Sequence, residues 1–492
     1  MRMARPFYNK NISKARLGEG IAVTTVSDTG QTPQTLATTE EGPLARFFRA
    51  TEIDTRMLGM VAALLVIWAG FDIYSGMLRP NEGLFGGSFL TPRNLWTLLV
   101  QTSSIAIMST GMVLLIVLRQ LDLSVGSMLS TVAVATGVLQ VYHLGPWLGV
   151  GHEFIWIIAV LFAVALGAFM GWFNGMLTAY AGIPAFIVTL GGLIAYSGIA
   201  WALIRGETVA PMDKTFKLIG GNGPLASIGP FWSWVVAAVA CAGLVLGLFN
   251  GRRQRRRFKF PQRPVWAEVL LAVCGSAAIL GATAVVNSYP WAPRIIEVYA
   301  KDNGIPIPAG IELRDGDGIC MAGDAVVRCA EGLVFYTGYA IPVLIALAVG
   351  FLTSFMASRT QFGRYVYATG GNPEAAELSG INTRWLTVKV FTLMGILVAI
   401  SAIITSARLD AATNSLGQLN ELYVIAAVVI GGTSLGGGVG TIYGAMLGAL
   451  LMQSLQSGMT LLNFESAYKD MVVGTVLVTA VFVDQIYRRR VR

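Results

Sequence analysis

Few residues of this chain can make or break bonds. Its two histidines, His143 and His152, flank one turn between apolar runs and have no cysteine or carboxylate partners at metal-ligand spacing. Neither HExxH nor GxxxxGK[ST] occurs, so zinc hydrolysis and P-loop ATP hydrolysis are not chemistries the chain performs by itself. No metal site and no cofactor are expected. The carboxylates Asp122, Glu421 and Asp484 stand near the ends of apolar runs, whose centres are almost free of charge. Proton-driven carriers hold ionisable groups deeper than this, while sodium coupling through carbonyls and hydroxyls stays open. Cys320 and Cys329 share a polar segment, either as a disulfide in an oxidising compartment or as two thiols. Cys241 and Cys274 lie in apolar runs and are expected to be small buried hydrophobes.

The most structured polar segment is Thr369–Ile381. Asn372 can cap a helix, Pro373 suits its first position, and Glu374 faces the positive end of its dipole. Gly380 can end it in a left-handed turn. About two turns of helix remain, too few to be stable alone in water. Such a helix, held between apolar spans, is built to be touched by something else.

The elements that position these residues are membrane spans. Of 492 residues, 54% are hydrophobic and 13% charged, and the mean hydropathy is +0.64. Continuous apolar runs rule against a β-barrel, which needs alternation. They fall near 57–76, 94–118, 124–142, 154–179, 183–204, 229–249, 267–287, 332–354, 386–406, 421–434, 439–460 and 470–487. The fold class is therefore all-α, a polytopic helical membrane protein of about 10–12 spans. The segment Leu422–Leu435 is short and runs into the glycine-rich stretch Gly431–Gly440, which predicts a broken or re-entrant element. The small-residue rows Gly167/Gly171/Gly175 and Gly440/Gly444/Gly448 let neighbouring backbones approach closely, as ordinary helix packing or as a mobile or pore-lining interface.

The net charge of +8 reads as topology and not as nucleic-acid binding. Basic residues cluster in an inside loop expected at 250–266, at Arg488–Arg492 and along the N-terminal tail. An even span count with two basic ends places both termini in the cytoplasm. The expected organisation is a disordered basic cytoplasmic tail over 1–56 and a transmembrane domain over 57–487. Within it lie an extracytoplasmic insertion at 288–331 and a cytoplasmic loop at 355–385. A basic cytoplasmic C-terminus follows at 488–492.

Four stretches together resemble one family. Leu121-Asp-Leu-Ser-Val-Gly-Ser127 looks like a signature of sugar ABC-importer permeases of the ribose/xylose type. Asn174-Gly175 with Gly182-Ile-Pro-Ala-Phe-Ile-Val-Thr-Leu190 is similar to that family's next block. Arg364 through Gly380 resembles its ATPase-docking loop, and Glu421 through Gly440 its late glycine-rich block. Residues 205–331 exceed the compact ribose type and look more like the longer xylose type. Arg119-Gln120 departs from the family, which more often has small residues there.

The resemblance implies the permease subunit of an ATP-driven monosaccharide importer in the bacterial inner membrane, not itself an enzyme. It implies a cytoplasmic ABC ATPase, a periplasmic sugar-binding protein, a second copy of the chain and membrane lipid as partners, and no nucleic acid. Asn372, Glu374, Ala375, Ala376 and Gly380 would form the ATPase-coupling helix, with the alanines keeping it flat enough to enter a cleft. Asp122, Ser124, Phe186, Thr189, Tyr196 and Glu421 are candidates for the translocation pathway. For Asp122 the alternatives are a helix cap or a pair with Arg119; for Phe186, Tyr196 and Trp201 the alternative is packing. A self-contained ion-coupled secondary transporter of a small polar solute is the competing function.

Overall fold

The computed structural model describes residues 55–78, 86–222, 224–289 and 337–491, all within one compact unit, Phe48–Arg492. Cys320 and Cys329 lie outside the described residues, as do the N-terminal tail through residue 54 and nearly all of the 288–331 insertion.

Among the described residues the secondary structure is helical, with only two isolated bridges, Val209 to Ala412 and Ser227 to Ala340. Among the described residues, nine helices are long and apolar enough to cross a membrane. They are α1 (Thr55–Met77), α2 (Pro92–Val117), α3 (Val125–Val138), α4 (Ile155–Ala179), α5 (Ala185–Ile204), α7 (Gly229–Arg257), α8 (Val265–Asn287), α9 (Ile341–Arg359) and α12 (Thr383–Leu409). Helix α3 reaches that length by running on through a π-helical turn at Leu139–Leu144. The other helices are α6 (Lys214–Ile219), α10 (Gln361–Gly371), α11 (Pro373–Leu378), α13 (Asn420–Ile430), α14 (Ile442–Leu461) and α15 (Ser466–Val491). The apolar runs at 421–434, 439–460 and 470–487 correspond to α13, α14 and α15.

Helices α2 and α12 are the centre of the bundle: 89% and 78% of their most apolar stretch is buried, against 11% for α1, α7 and α8. Lipid is as apolar as leucine, so the packing between spans depends on close fit and not on a hydrophobic drive. Glycine supplies that fit. A Cβ on Gly167 or Gly171 of α4 would land on the carbonyl oxygens of Gly395 and Phe391 of α12, and one on Gly448 of α14 on that of Ala427 of α13. Both small-residue rows are packing faces.

The glycine-rich region is a true break. Helix α13 has 11 residues, about 16 Å of rise against a hydrocarbon core of about 30 Å. It ends at Ile430, and Gly432, Gly437 and Gly438 then take positive φ before α14 begins. Before α13, the chain leaves α12 through Asp410 and reaches Leu419, both left-handed, with Gly417 N–H donating to Ser130 Oγ of α3 at 2.8 Å.

Two expectations need correction. The basic stretch after α7 is not a loop over its whole length, since α7 stays helical through Arg257. Arginine is a good helix former, and cations at a helix C-terminus oppose its dipole; Arg252 also pairs with Glu268 of α8 at 2.7 Å. Cys241 and Cys274 are half-buried and exposed, because α7 and α8 lie at the margin of the bundle.

Candidate functional site

The short helix α11 forms with the predicted caps. Asn372 Oδ1 accepts from Ala375 N–H at 3.1 Å, Pro373 opens the helix, and Glu374 sits in its first turn. Gly380 closes it at φ +84°, with Ile381 N–H bonded back to Ala376 O at 3.1 Å. Ala376 is the one buried residue of this helix and faces the protein; Ala375 is exposed, and Leu378 is 90% exposed. Ala376 therefore seats the helix and cannot contribute to an outer surface. The apolar residue that the helix presents is Leu378, a leucine held in the open on a two-turn helix.

Helix α11 packs on α12 as well as on α10, and α10 is held to the end of α2 by one arginine. After α2 the chain turns by a Schellman motif: Arg119 N–H donates to Ile116 O at 2.8 Å and Gln120 N–H to Leu115 O at 2.9 Å. Arg119 occupies the left-handed position at φ +62°, where glycine is usual. Its guanidinium donates to Gly370 O at 2.9 Å and Gly371 O at 2.8 Å, the last carbonyls of α10. The alternative in which Arg119 pairs with Asp122 is thereby overturned. The broken segment joins at the same point, with Gly438 N–H donating to Val117 O at 3.0 Å and Tyr367 Oη to Gly440 O at 2.8 Å.

Directly after Arg119 begins a buried polar chain. Asp122 Oδ1 accepts from both Ser124 N–H (2.9 Å) and Ser124 Oγ (2.6 Å), a turn that leads into α3. Asn174 Nδ2 of α4 donates to Ser124 Oγ at 3.0 Å, and Tyr196 Oη of α5 donates to Asn174 Oδ1 at 2.8 Å. Asp122, Ser124 and Asn174 are essentially inaccessible, and Tyr196 is 8% exposed. Asp122 Oδ2 has no hydrogen-bond partner. Burial pushes the Asp122 carboxyl from its ordinary value of 3.8 up to about 6, against the opposing pull of the Ser124 bonds. Thr189 Oγ1 reaches Ala185 O at 2.9 Å and, more weakly, Leu121 O at 3.4 Å. These residues bind α3, α4 and α5 together.

A cavity of about 380 Å³ lies between α3, α5 and the segment leading into α13. Seven of its ten lining residues have polar side chains: Ser127, Ser130, Ser197, Asn414, Ser415, Gln418 and Glu421. Its size falls within the usual range of small-molecule sites, about 300–1,000 Å³, and its lining is more polar than most. The hydroxyls and amides can exchange hydrogen bonds with a polyhydroxylated solute. The Glu421 carboxylate packs over Gly126, where no Cβ would fit.

The structure thus separates the pathway candidates. Glu421 lines the cavity, while Asp122, Ser124, Thr189 and Tyr196 form the bonded support behind it. Phe186 and Trp201 point away, 54% and 55% exposed on the outer face of α5. The sequence reading missed Arg119 as a clamp, Leu378 as the exposed knob, and Asn174, Ser130, Asn414 and Gln418 as polar groups at the site. A polar residue at the apolar period of α4 was the available signal for Asn174; Asn414 and Gln418 lie in irregular chain and gave none. The letters of a nucleophile elbow occur at Gly432-Thr-Ser434-Leu-Gly436, but a helix and not a strand precedes them, so the hydrolase context is missing.

Comparison with known proteins places the chain. The family described as branched-chain amino acid transport system, permease component, matches residues 94–481. The xylose transport system permease protein XylH of Haemophilus influenzae is 32% identical over 437 residues, covering 89% of this chain and 98% of the relative. XylH of Escherichia coli K12 is 34% identical over 438 residues, covering 89% and 94%. The ribose import permease protein RbsC of the same strain is 30% identical over 398 residues, covering 81% and 87%. No solved structure matches significantly. With its multi-helix apolar bundle and a match over most of its length, the chain belongs to this family of transport-system permease components.

Proposed function

We propose that this chain is the membrane-spanning permease subunit of an ATP-binding-cassette importer that carries a monosaccharide, a xylose-like pentose or a related sugar, across the bacterial inner membrane. The observation that carries this reading is α11: a capped helix that displays Leu378 and is clamped by Arg119 to the end of the most buried span. A chain without a P-loop needs an outside energy source, and such a helix offers a small rigid handle to a separate ATPase. The relatives described as xylose and ribose permeases support the sugar, as does the hydroxyl- and amide-lined cavity.

The basic ends of α7 and α15 support a cytoplasmic location for the α11 side and for both termini. A second copy is favoured by α5, which lines the cavity with Leu193 and Ser197 yet leaves Leu190, Ile194 and Trp201 uncovered. A periplasmic sugar-binding protein would deliver the cargo at the opposite end.

The test is reconstitution in proteoliposomes with the candidate ATPase and binding protein, following labelled xylose and ribose. Uptake that requires ATP and both partners is the expected result. Uptake by this chain alone on an ion gradient overturns it.

A further inference from the structure

We propose that a wedge between α7 and α9 is a binding site for one anionic phospholipid, whose phosphate is held by Arg359 and Arg364. The α7–α8 hairpin is hydrogen-bonded to the chain that leads into α9 at the end away from its arginines. There Tyr339 N–H donates to Ser233 Oγ at 2.9 Å, the Thr283 and Tyr339 hydroxyls meet at 2.9 Å, and Thr337 Oγ1 donates to Val286 O at 2.9 Å. At the arginine-rich end the Arg252–Glu268 pair joins α7 to α8. A cleft of about 1,100 Å³ opens there, with Gly247 on one wall and Phe351, Phe355 and Tyr443 on the other.

The cleft has the polarity of an amphiphile. Phe351, Phe355 and Arg359 follow one another at intervals of four along a single face of α9, so its apolar floor and cationic mouth are about 12 Å apart. Phe351, Phe355 and Tyr443 are 64%, 53% and 53% exposed. No carboxylate among the described residues pairs with Arg359 or Arg364; Arg364 makes only a long 3.4 Å approach to the Arg359 carbonyl. Two exposed guanidiniums beside an apolar slot match a phosphate with an acyl chain beneath it. The mouth lies at the end of α7 where Arg252 to Arg257 concentrate, the side on which anionic headgroups meet basic residues. Charge complementarity along one helix face selects a lipid over an apolar protein helix, which would leave both arginines unanswered.

The test uses the full chain, purified in detergent and measured by native mass spectrometry on the monodisperse fraction. The probes are phosphatidylglycerol, phosphatidylcholine of the same acyl chains, and inorganic phosphate. One phosphatidylglycerol per chain is expected to bind, and R359Q/R364Q to weaken it at least tenfold. Gly247→Trp should do the same by filling the slot, since a Cβ there meets nothing within 4 Å. R253Q/R256Q, a matched loss of charge on exposed residues of α7, should leave binding unchanged. Equal binding in all variants, equal binding of phosphatidylcholine, or displacement by millimolar inorganic phosphate overturns the proposal. So does disulfide cross-linking between copies through F355C, which would show a second chain in the cleft.

Discussion

Arg119 can be removed in ways that separate its two effects. Its left-handed backbone costs about 1–2 kcal/mol relative to glycine. Its guanidinium makes two charge-assisted bonds to the end of α10, at 2.9 and 2.8 Å. Such bonds contribute about 1.5–3 kcal/mol each when buried. The Nη2 bond is exposed, so the pair together comes to about 2–4 kcal/mol. Arg119→Met keeps the strain and loses the clamp; Arg119→Gly loses both. Both variants should release the α10–α11 region by about the same amount, while Gly alone recovers overall stability by about 1–2 kcal/mol over Met. Hydrogen exchange over residues 366–381 reads the first quantity. At 1.36 kcal/mol per tenfold, the protection there should fall by about 30- to 1,000-fold in both variants. Thermal unfolding reads the second. Exchange within threefold of wild type in both would refute the clamp, and equal thermal stability of the two would refute the strain.

Three further outcomes follow from the geometry. Leu378→Ala should leave thermal stability unchanged, because the side chain is 90% exposed; burying a leucine contributes about 1.5–3 kcal/mol, so affinity for the partner ATPase should drop at least tenfold, and unchanged affinity would count against docking through this residue. Gly171→Ala should destabilise by about 1–3 kcal/mol through overpacking against the Phe391 carbonyl, whereas Gly191→Ala, with open space around its Cβ, should not; equal melting temperatures would argue against the α4–α12 contact. The Asp122 carboxyl, raised from 3.8 to about 6, penalises folding when ionised, so its contribution to stability falls as pH rises from about 4 through about 6 and is level above. The rise corresponds to about 3 kcal/mol; the stability difference between Asp122→Asn and wild type should grow across that interval, and a flat difference would remove the buried charge from the account.

Most spans were legible because length and apolar run alone specify them: 154–179 is α4 within one residue, and 183–204 is α5 within two. Helix α11 was legible because its caps are local: Asn372 bonds the backbone N–H three residues on, and Gly380 supplies the left-handed turn that ends the helix. Direction was not legible. Two adjacent alanines in a six-residue helix look alike in sequence, yet Ala376 packs inward and Ala375 does not, which only the placement of α10 decides. Tertiary polar partners were equally hidden: Arg119 reaches residues more than 250 positions away.

The placement of Arg119 also explains why the broken segment, the short helix and the buried polar chain share one end of α2. A left-handed arginine is unfavourable unless its side chain recovers the cost, and here it does so by holding Gly370 and Gly371. Gly437 and Gly370 then have to be glycines, since a Cβ on either would strike Arg119 or the Val117 carbonyl. Because Val117, Arg119 and Asp122 lie within six residues of each other, a displacement of α11 cannot be absorbed at α10 without moving the turn that leads to Asp122. From there Ser124, Asn174 and Tyr196 carry the constraint across α3, α4 and α5 by direct hydrogen bonds, and Ser127 and Ser130, one turn further along α3, already line the cavity. Under the proposed function, the force applied by an ATPase at Leu378 therefore has a bonded route to the cavity, through Arg119 on one side and through Tyr367 and the broken segment on the other.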